Sequence, residues 1–207
     1  WQNPRRRDRA MVMLGALHGR FWARPALLAA LAWLPRYTAD DFWQALELLE
    51  RPPRGWTPLS RGYLGQLASG AEMLIAGPDT LIHGSFHPNN VGWRADSPVL
   101  LDWEKVAWGP PFADLGRLFT RLEEVDGRLT PLVPPAWRAE LLAAYATTIE
   151  AVANERIEAS VVAVQVRGAM LWELAVDLLT ELRAGERGNS TRYERFLHYA
   201  EAEADEP

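Results

Sequence analysis

Apolar residues recur every three or four positions through the first third of the chain, which is the spacing of one face of an α-helix. In the first such segment these positions are Met11, Leu14, Leu17, Phe21 and Trp22. Prolines interrupt the pattern, and it predicts helices over residues 8–22, 26–34, 40–49 and 60–76. We therefore expect residues 1–79 to be helical.

The pattern changes in residues 80–104, where short apolar runs are separated by polar turn residues. Residues 80–82 predict a short strand. Residues 91–93 and 99–101 predict two strands around the polar loop at 94–98, which together make a small β-hairpin. The segment HGSFHPNN lies between the first strand and this hairpin, and its glycine, proline and asparagines are typical of a tight loop.

Helical spacing returns in residues 105–207. It predicts helices over residues 112–124, 137–152, 155–183 and 191–203. Because the strands are few and short and no internal repeat is present, the sequence predicts one α+β domain that is mostly helical. A chain of 207 residues is long enough to bury a core of its own.

Composition excludes several classes of protein. The chain has no cysteine, which rules out a disulfide scaffold, a Cys-ligated zinc site, an iron–sulfur cluster and a thiol nucleophile. No apolar run approaches the roughly 18 residues of a membrane span. The net charge of -5 argues against binding along the phosphate backbone of a nucleic acid. We therefore expect a cytoplasmic protein without a nucleic-acid or membrane partner.

The side chains that can carry chemistry are concentrated in two segments, HGSFHPNN at residues 83–90 and LDWE at residues 101–104. An asparagine in a tight loop and a carboxylate at the end of a strand supply oxygen ligands, which Mg²⁺ prefers. Asp102 and Glu104 are two residues apart on a predicted extended segment, so we expect their side chains on one face. Together with Asn90 they predict a site for one hard cation, or for two bridged by phosphate oxygens.

These segments resemble a known catalytic loop. Protein kinases carry H-R-D-x-x-x-x-N followed by a DFG aspartate. The aminoglycoside phosphotransferase/choline kinase family writes this as H-G-D-x-H-x-x-N, followed by a strand that ends in I-D-W/F-E or D-x-D, and the present chain is similar to that version. GPPFADLGRL at residues 109–118 resembles the family's G-D-P-x-x-D-L-A, and LGALHGRFW at 14–22 resembles its L-x-x-L-H-x helix, with His18 at the matching position.

The resemblance implies a fold and an activity. The fold would be a protein-kinase-like C-terminal lobe over residues 1–207, with the β-hairpin at the catalytic loop. The family's N-terminal ATP lobe would be absent from this chain and would lie upstream of Trp1. The activity would be transfer of the ATP γ-phosphoryl group to a hydroxyl of a small molecule, with ATP and Mg²⁺ as cofactors.

The resemblance also implies roles for individual residues. Asn90 and Asp102 would hold Mg²⁺ with its nucleotide, and Glu104 would be an additional metal ligand. The remaining matched residues would support the loop: His83, His87 and Asp114, of which Asp114 braces the loop from below. Ser85 stands where the family has its catalytic-base aspartate.

Two departures bear on activity. The hydroxyl of Ser85 is a very weak base, and general-base help contributes about 10²–10⁴-fold to a rate. The chain has no Gly-rich phosphate loop, and its one lysine, Lys105, follows the LDWE segment instead of preceding the catalytic loop. We therefore expect an impaired phosphotransferase, or alternatively a catalytically inactive kinase-like binding module. A plain helical interaction protein is a third possibility.

Other interpretations of the same residues stay open. Glu104 is a substitute for the missing base if it does not bind metal. A zinc site at His83 and His87 would need a helix, which Gly84 and Pro88 disfavour. The acidic balance suits a cationic acceptor such as an amino sugar or a choline-like alcohol, for which one face of the long last helix offers three carboxylates: Glu173, Asp177 and Glu181.

Overall fold

A computed structural model describes residues 1–51, 60–125 and 128–183 of the chain. The first third is helical, as predicted, and its four helices are α1 (Pro4–Phe21), α2 (Pro25–Ala29), α3 (Asp40–Glu50) and α4 (Arg61–Ala76). Helix α1 begins earlier than its apolar spacing because Pro4 occupies the first helical position and the Asn3 side chain accepts the N–H of Arg6 at 3.4 Å. No helix within the described ranges is both long and apolar enough to cross a membrane.

Helix α2 ends five residues before the predicted end at residue 34. The segment that follows pairs instead with the backbone of Trp108, which donates to Pro35 O at 3.0 Å and accepts from Tyr37 N at 2.7 Å. The indole of Trp108 also donates to Leu31 O at 3.2 Å. These distant partners satisfy backbone groups that a longer helix would have paired internally, so tertiary structure overrides the local preference.

The centre of the chain contains two small antiparallel sheets. Strand β1 (Thr80–Ile82) pairs with β4 (Ala107–Gly109), and β2 (Val91–Arg94) pairs with β3 (Ser97–Leu100). The β2–β3 hairpin confirms the sequence prediction, whereas the pairing partner of β1 was not predicted. The β1–β4 pair joins the two ends of the segment between them, residues 83–106. HGSFHPNN begins directly after β1, and LDWE ends shortly before β4.

The last third is less uniformly helical than predicted. Helix α5 (Phe112–Thr120) is followed by a second hairpin of β5 (Leu122–Val125) and β6 (Arg128–Pro131), and then by α6 (Pro135–Ala153) and α7 (Ala159–Arg183). The prediction of a helix over residues 112–124 and of a wholly helical segment 105–207 is therefore wrong. The backbone of Arg121 is extended, and its carbonyl accepts from Leu132 N at 2.9 Å, so the chain leaves the helix for the hairpin. The predicted helix at 191–203 lies outside the described residues.

Helix α7 lies at the centre of the packing, with α3, α4 and α5 against it, while α1 packs on α6. A methyl group at Gly116 of α5 would lie 2.5 Å from the carbonyl oxygen of Ala169, so glycine permits the close approach of α5 to α7. The largest fully buried side chains are aromatic: Trp172, Tyr145, Phe42, Phe86, Phe112 and Phe119. Phe86 belongs to the HGSFHPNN loop and anchors it in this core.

Candidate functional site

Asp114 of α5 holds the beginning of the HGSFHPNN loop. Its Oδ2 accepts the N–H of His83 at 2.7 Å, and its Oδ1 accepts the N–H of Gly84 at 2.8 Å. The residue is 1% exposed, so these two donors replace the water that would otherwise solvate the carboxylate. The loop backbone is thereby fixed to the first turn of α5.

A buried hydrogen-bond chain extends from Asp114 into the helices. His18 of α1 contacts Asp114 Oδ2 through Nε2 at 3.1 Å and the hydroxyl of Tyr145 through Nδ1 at 2.8 Å. Burial, and next the charge of Asp114, raise the pKa of Tyr145 well above its usual value, so the phenol remains protonated and donates to His18. Tyr145 was not singled out from the sequence, because its position on an apolar helix stripe carries no other signal.

Gly84 and His83 tie this loop to the segment after β3. Gly84 has φ +74, and a methyl group there would collide with the carbonyl of Lys105, so only glycine fits. The His83 ring contacts Leu101 O through Nε2 at 2.8 Å and accepts Ser85 N–H on Nδ1 at 3.3 Å. Both ring nitrogens of His83 are therefore occupied by partners within these two segments.

Asn90 and Ser85 are in direct contact. Asn90 ends a short 3₁₀ turn at Pro88–Asn90, and its side-chain Nδ2 donates to Ser85 O at 2.9 Å and to Ser85 Oγ at 3.4 Å. Because the nitrogen is used in this way, the amide oxygen is the atom left for a ligand. The backbone oxygen of Asn90 accepts the N–H of Leu101 at 2.9 Å. Asp102 is the next residue after Leu101.

The arrangement of Asp102 and Glu104 differs from the prediction. Strand β3 ends at Leu100, Asp102 has φ +61, and residues 104 and 105 form a turn, so the expected shared face of an extended segment is wrong. The left-handed conformation is one that aspartate tolerates better than most residues. Both carboxylates are exposed, and neither makes a hydrogen bond or ion pair with any described residue. Carboxylate and amide oxygens are the ligands that a hard divalent cation such as Mg²⁺ prefers.

His87 follows in the same loop and is almost fully enclosed. Its backbone oxygen accepts Asn90 N–H at 2.9 Å, and its Nδ1 is buried without a hydrogen-bond partner among the described residues. Burial, followed by the charges of Arg121 and Arg117, lowers the pKa of His87 below its usual value. The ring is therefore neutral at pH 7.

The carboxylates of α7 that were expected to contact a cationic acceptor differ in their exposure to solvent. Glu173 of α7 is buried, forms an ion pair with Arg117 Nε at 3.2 Å through one oxygen and accepts the hydroxyl of Tyr37 at 3.0 Å on the other. Both oxygens thus serve the fold, and the expectation that Glu173 contacts an acceptor is not met. Asp177 is exposed, and the side chain of Glu181 lies outside the described residues. Arg117 and Tyr37 were not singled out from the sequence.

Comparison with models of known protein families identifies the family of this chain. Residues 1–158 match the model of the APH phosphotransferase enzyme family. The chain belongs to this family. No curated protein matches the chain by sequence.

Solved structures show the same fold at low sequence identity. The GDP complex of aminoglycoside 2'-phosphotransferase-IIIa is 14% identical, with a TM-score of 0.57 over 97% of this chain and 62% of that one. Choline kinase LicA from Streptococcus pneumoniae is 13% identical, with a TM-score of 0.57 over 95% and 63%. A choline/ethanolamine kinase family protein from Mesorhizobium loti is 15% identical, with a TM-score of 0.59 over 99% and 63%.

The family resemblance and the helix-rich, kinase-like α+β fold inferred from the sequence are therefore confirmed. The chain spans slightly less than two thirds of the length of these relatives, 62% in the first case.

Proposed function

We propose that this chain carries the phosphoryl-transfer site of a phosphotransferase that moves the terminal phosphoryl group of ATP to a hydroxyl of a small molecule. The supporting observation is the position of Asn90. Its amide nitrogen is held by Ser85, its amide oxygen is left for a ligand, and its backbone is bonded to the residue that precedes Asp102.

In this proposal Asn90 and Asp102 hold Mg²⁺, and Glu104 provides a further carboxylate. When bound, Mg²⁺ neutralises charge on the nucleotide phosphates. Phosphoryl transfer depends mostly on positioning and charge, so the support of the loop is the second requirement. Three residues supply this support. His83 bonds the loop to Leu101, and Asp114 bonds the loop backbone. His87 is buried within the loop.

Ser85 limits the expected rate. Its Oγ contacts only the amide of Asn90 at 3.4 Å among the described residues, so no carboxylate or imidazole activates it. The acceptor hydroxyl would lose its proton without a general base, and we propose a slow enzyme for that reason. The alternative is a catalytically inactive kinase-like module that binds nucleotide, which the same observation favours.

The remaining elements of the proposal follow the family. The acceptor is a small molecule. Asp177 is an exposed carboxylate of α7 and would contact a cationic group of this acceptor. Residues 1–207 act as one kinase-like C-terminal lobe of a cytoplasmic protein. The N-terminal ATP lobe is a further part of the same protein in this proposal.

Calorimetric titration with MgATP tests the binding step. We expect Asp102→Asn to weaken Mg²⁺-dependent nucleotide binding about tenfold or more, because a neutral amide replaces a charged metal ligand. Asp96→Asn is the matched control. Asp96 is an exposed aspartate in the turn of the same hairpin and should leave binding unchanged. Equal binding by both variants would show that the proposed site is wrong.

Turnover separates the enzyme from the inactive module. ADP release is measured with choline, an aminoglycoside and a macrolide as acceptors, and the Ser85→Asp variant is compared with the original chain. Restoring a carboxylate base is expected to raise the rate by about 10²-fold or more. MgATP binding without turnover in either form would support the binding module instead.

A further inference from the structure

Asp102 lies in a backbone conformation that needs support from its surroundings. Its φ of +61 is in the left-handed region, which residues other than glycine rarely adopt. Strand β3 ends two residues earlier, at Leu100, so the pairing with β2 does not extend to Asp102. The side chain is exposed, and packing does not set its direction. The direction of the carboxylate therefore depends on the groups that fix the backbone on either side.

The indole of Trp103 bridges this turn. Its Nε1–H donates to Leu100 O at 3.1 Å, so the side chain that follows Asp102 is bonded to the backbone that precedes it. The carbonyl oxygen of Trp103 accepts Val106 N–H at 3.2 Å, which fixes the next part of the chain. A left-handed residue persists where the surrounding contacts hold it, and these two bonds are such contacts.

His83 supports the same turn from the HGSFHPNN loop. Its ring contacts Leu101 O through Nε2 at 2.8 Å. The ring also packs edge-on against the indole of Trp103, with the ring centroids 4.8 Å apart and an angle of 61° between the planes. Both carbonyl groups before Asp102, at Leu100 and Leu101, thus have a side-chain partner, and the two partner rings contact each other.

The hydrophobic core does not account for the position of Trp103. The side chain is 39% exposed and does not belong to the buried core of the described residues. Its described contacts are the turn itself and His83. The residue therefore acts on the backbone around Asp102 more than on the stability of the whole chain.

We propose that Trp103 is a positioning residue, which holds the turn so that the Asp102 carboxylate points toward the divalent cation. The inference deepens the proposed function and rests on it for the presence of the metal. Trp103 acts through Asp102 and not by binding the ion. Without the indole N–H the turn relaxes, and the apparent metal affinity falls with the fraction of molecules in which the carboxylate is in place.

Manganese binding tests this proposal without nucleotide or turnover. Mn²⁺ takes the same oxygen ligands as Mg²⁺, and electron paramagnetic resonance measures the free ion during a titration of the 207-residue chain. Trp103→Phe keeps an aromatic ring beside His83 and removes the donor. We expect it to weaken Mn²⁺ binding about three- to tenfold, the effect of one hydrogen bond. Trp33→Phe is the matched control at a 76% exposed tryptophan and should leave binding unchanged.

Two further backgrounds separate positioning from a general structural effect. In Asp102→Asn, the added Trp103→Phe should change the affinity by less than about twofold, because the charged ligand that Trp103 positions is already lost. In Glu104→Gln, the same change should weaken binding as much as in the original chain. A thermal melt verifies that each variant is folded, which we expect because Trp103 is outside the core.

Two results would overturn the inference. One is equal Mn²⁺ affinity of Trp103→Phe and Trp33→Phe. The other is the same weakening by Trp103→Phe in the Asp102→Asn background as in the original chain.

Hydrogen exchange distinguishes a failure of this inference from a failure of the proposed function. The indole proton of Trp103, assigned by its absence in Trp103→Phe, should exchange more slowly than that of Trp33 because Leu100 O accepts it. Equal exchange rates would overturn the inference whatever the metal affinity. Slow exchange in a chain that binds no Mn²⁺ would contradict the metal site of the proposed function and leave Trp103 as the residue that holds the turn.

Discussion

Replacing Asp114 with asparagine is expected to destabilise the loop and the whole fold. The carboxylate accepts His83 N–H at 2.7 Å, Gly84 N–H at 2.8 Å and the His18 ring at 3.1 Å. Asparagine keeps one acceptor oxygen and presents an NH₂ group on the other side. A donor would then face another donor inside the protein, and one of the two loop amides would lose its partner.

The magnitude follows from these contacts. A hydrogen bond to a charged group contributes about 1.5–3 kcal/mol, and a buried donor left unsatisfied costs about 1–3 kcal/mol. At 1% exposure, water cannot replace the lost partner. Removing a buried charge recovers part of its desolvation cost, so we expect the free energy of unfolding to fall by about 3 kcal/mol. Because small domains are stable by only about 5–15 kcal/mol, this loss is large.

Urea denaturation followed by circular dichroism measures the effect, and amide hydrogen exchange at Gly84 reports the loop itself. Asp79→Asn is the control, since Asp79 pairs with the exposed Arg36 and such surface pairs contribute about 1 kcal/mol or less. If Asp114→Asn lost no more stability than this control, or if exchange at Gly84 were unchanged, the argument that Asp114 fixes the loop would fail.

Three further predictions concern stability and pH. Gly84→Ala should lower the free energy of unfolding by about 3 kcal/mol or more, because the new methyl group would collide with the Lys105 backbone and residue 84 has a positive φ. Thermal denaturation measures this loss. Gly62→Ala in α4, where the methyl group meets no atom of the described residues within 4 Å, should instead raise stability by about 0.5–1 kcal/mol, and a loss would contradict the helix there. Burial raises the pKa of Tyr37 and of Tyr145 well above 10, so above pH 10 the unfolded chain releases protons that the folded chain keeps. Stability should therefore fall as pH rises, by about 1 kcal/mol per tyrosine between pH 10 and pH 11, and Tyr145→Phe should reduce the loss over that interval by about the same amount in urea titrations.

The site was predictable where its residues are close in the chain. The loop at residues 83–90 and the hairpin that follows both show in local patterns, because turns and alternating strands depend on neighbouring residues. Asp102 was placed in an extended segment, and the structure puts it at φ +61 instead. That conformation comes directly after the backbone bond from Leu101 N to Asn90 O, and no local sequence signal marks it.

The hairpin after α5 shows the same limit. Apolar spacing continues past Thr120, so the pattern predicts helix, yet the chain turns outward because residues 121 and 132 bond to each other. In the part of the chain that the structure describes, the two strands that result pair with each other alone, and no single segment shows that preference. Element type was predictable for most helices, and their ends were not.

The sequence by itself determined the helical periodicity and the turn-rich loop with Asn90, because these depend on residues within a few positions of each other. It also determined the family, because the matching motifs are read directly from the order of residues along the chain. The tertiary structure alone decided which distant groups meet: His18 with Asp114 and Tyr145 on three helices, and Arg117 with Glu173 and Tyr37 beside the loop. A buried charge must find its partner in space, and residues far apart in the chain become neighbours only when the helices pack.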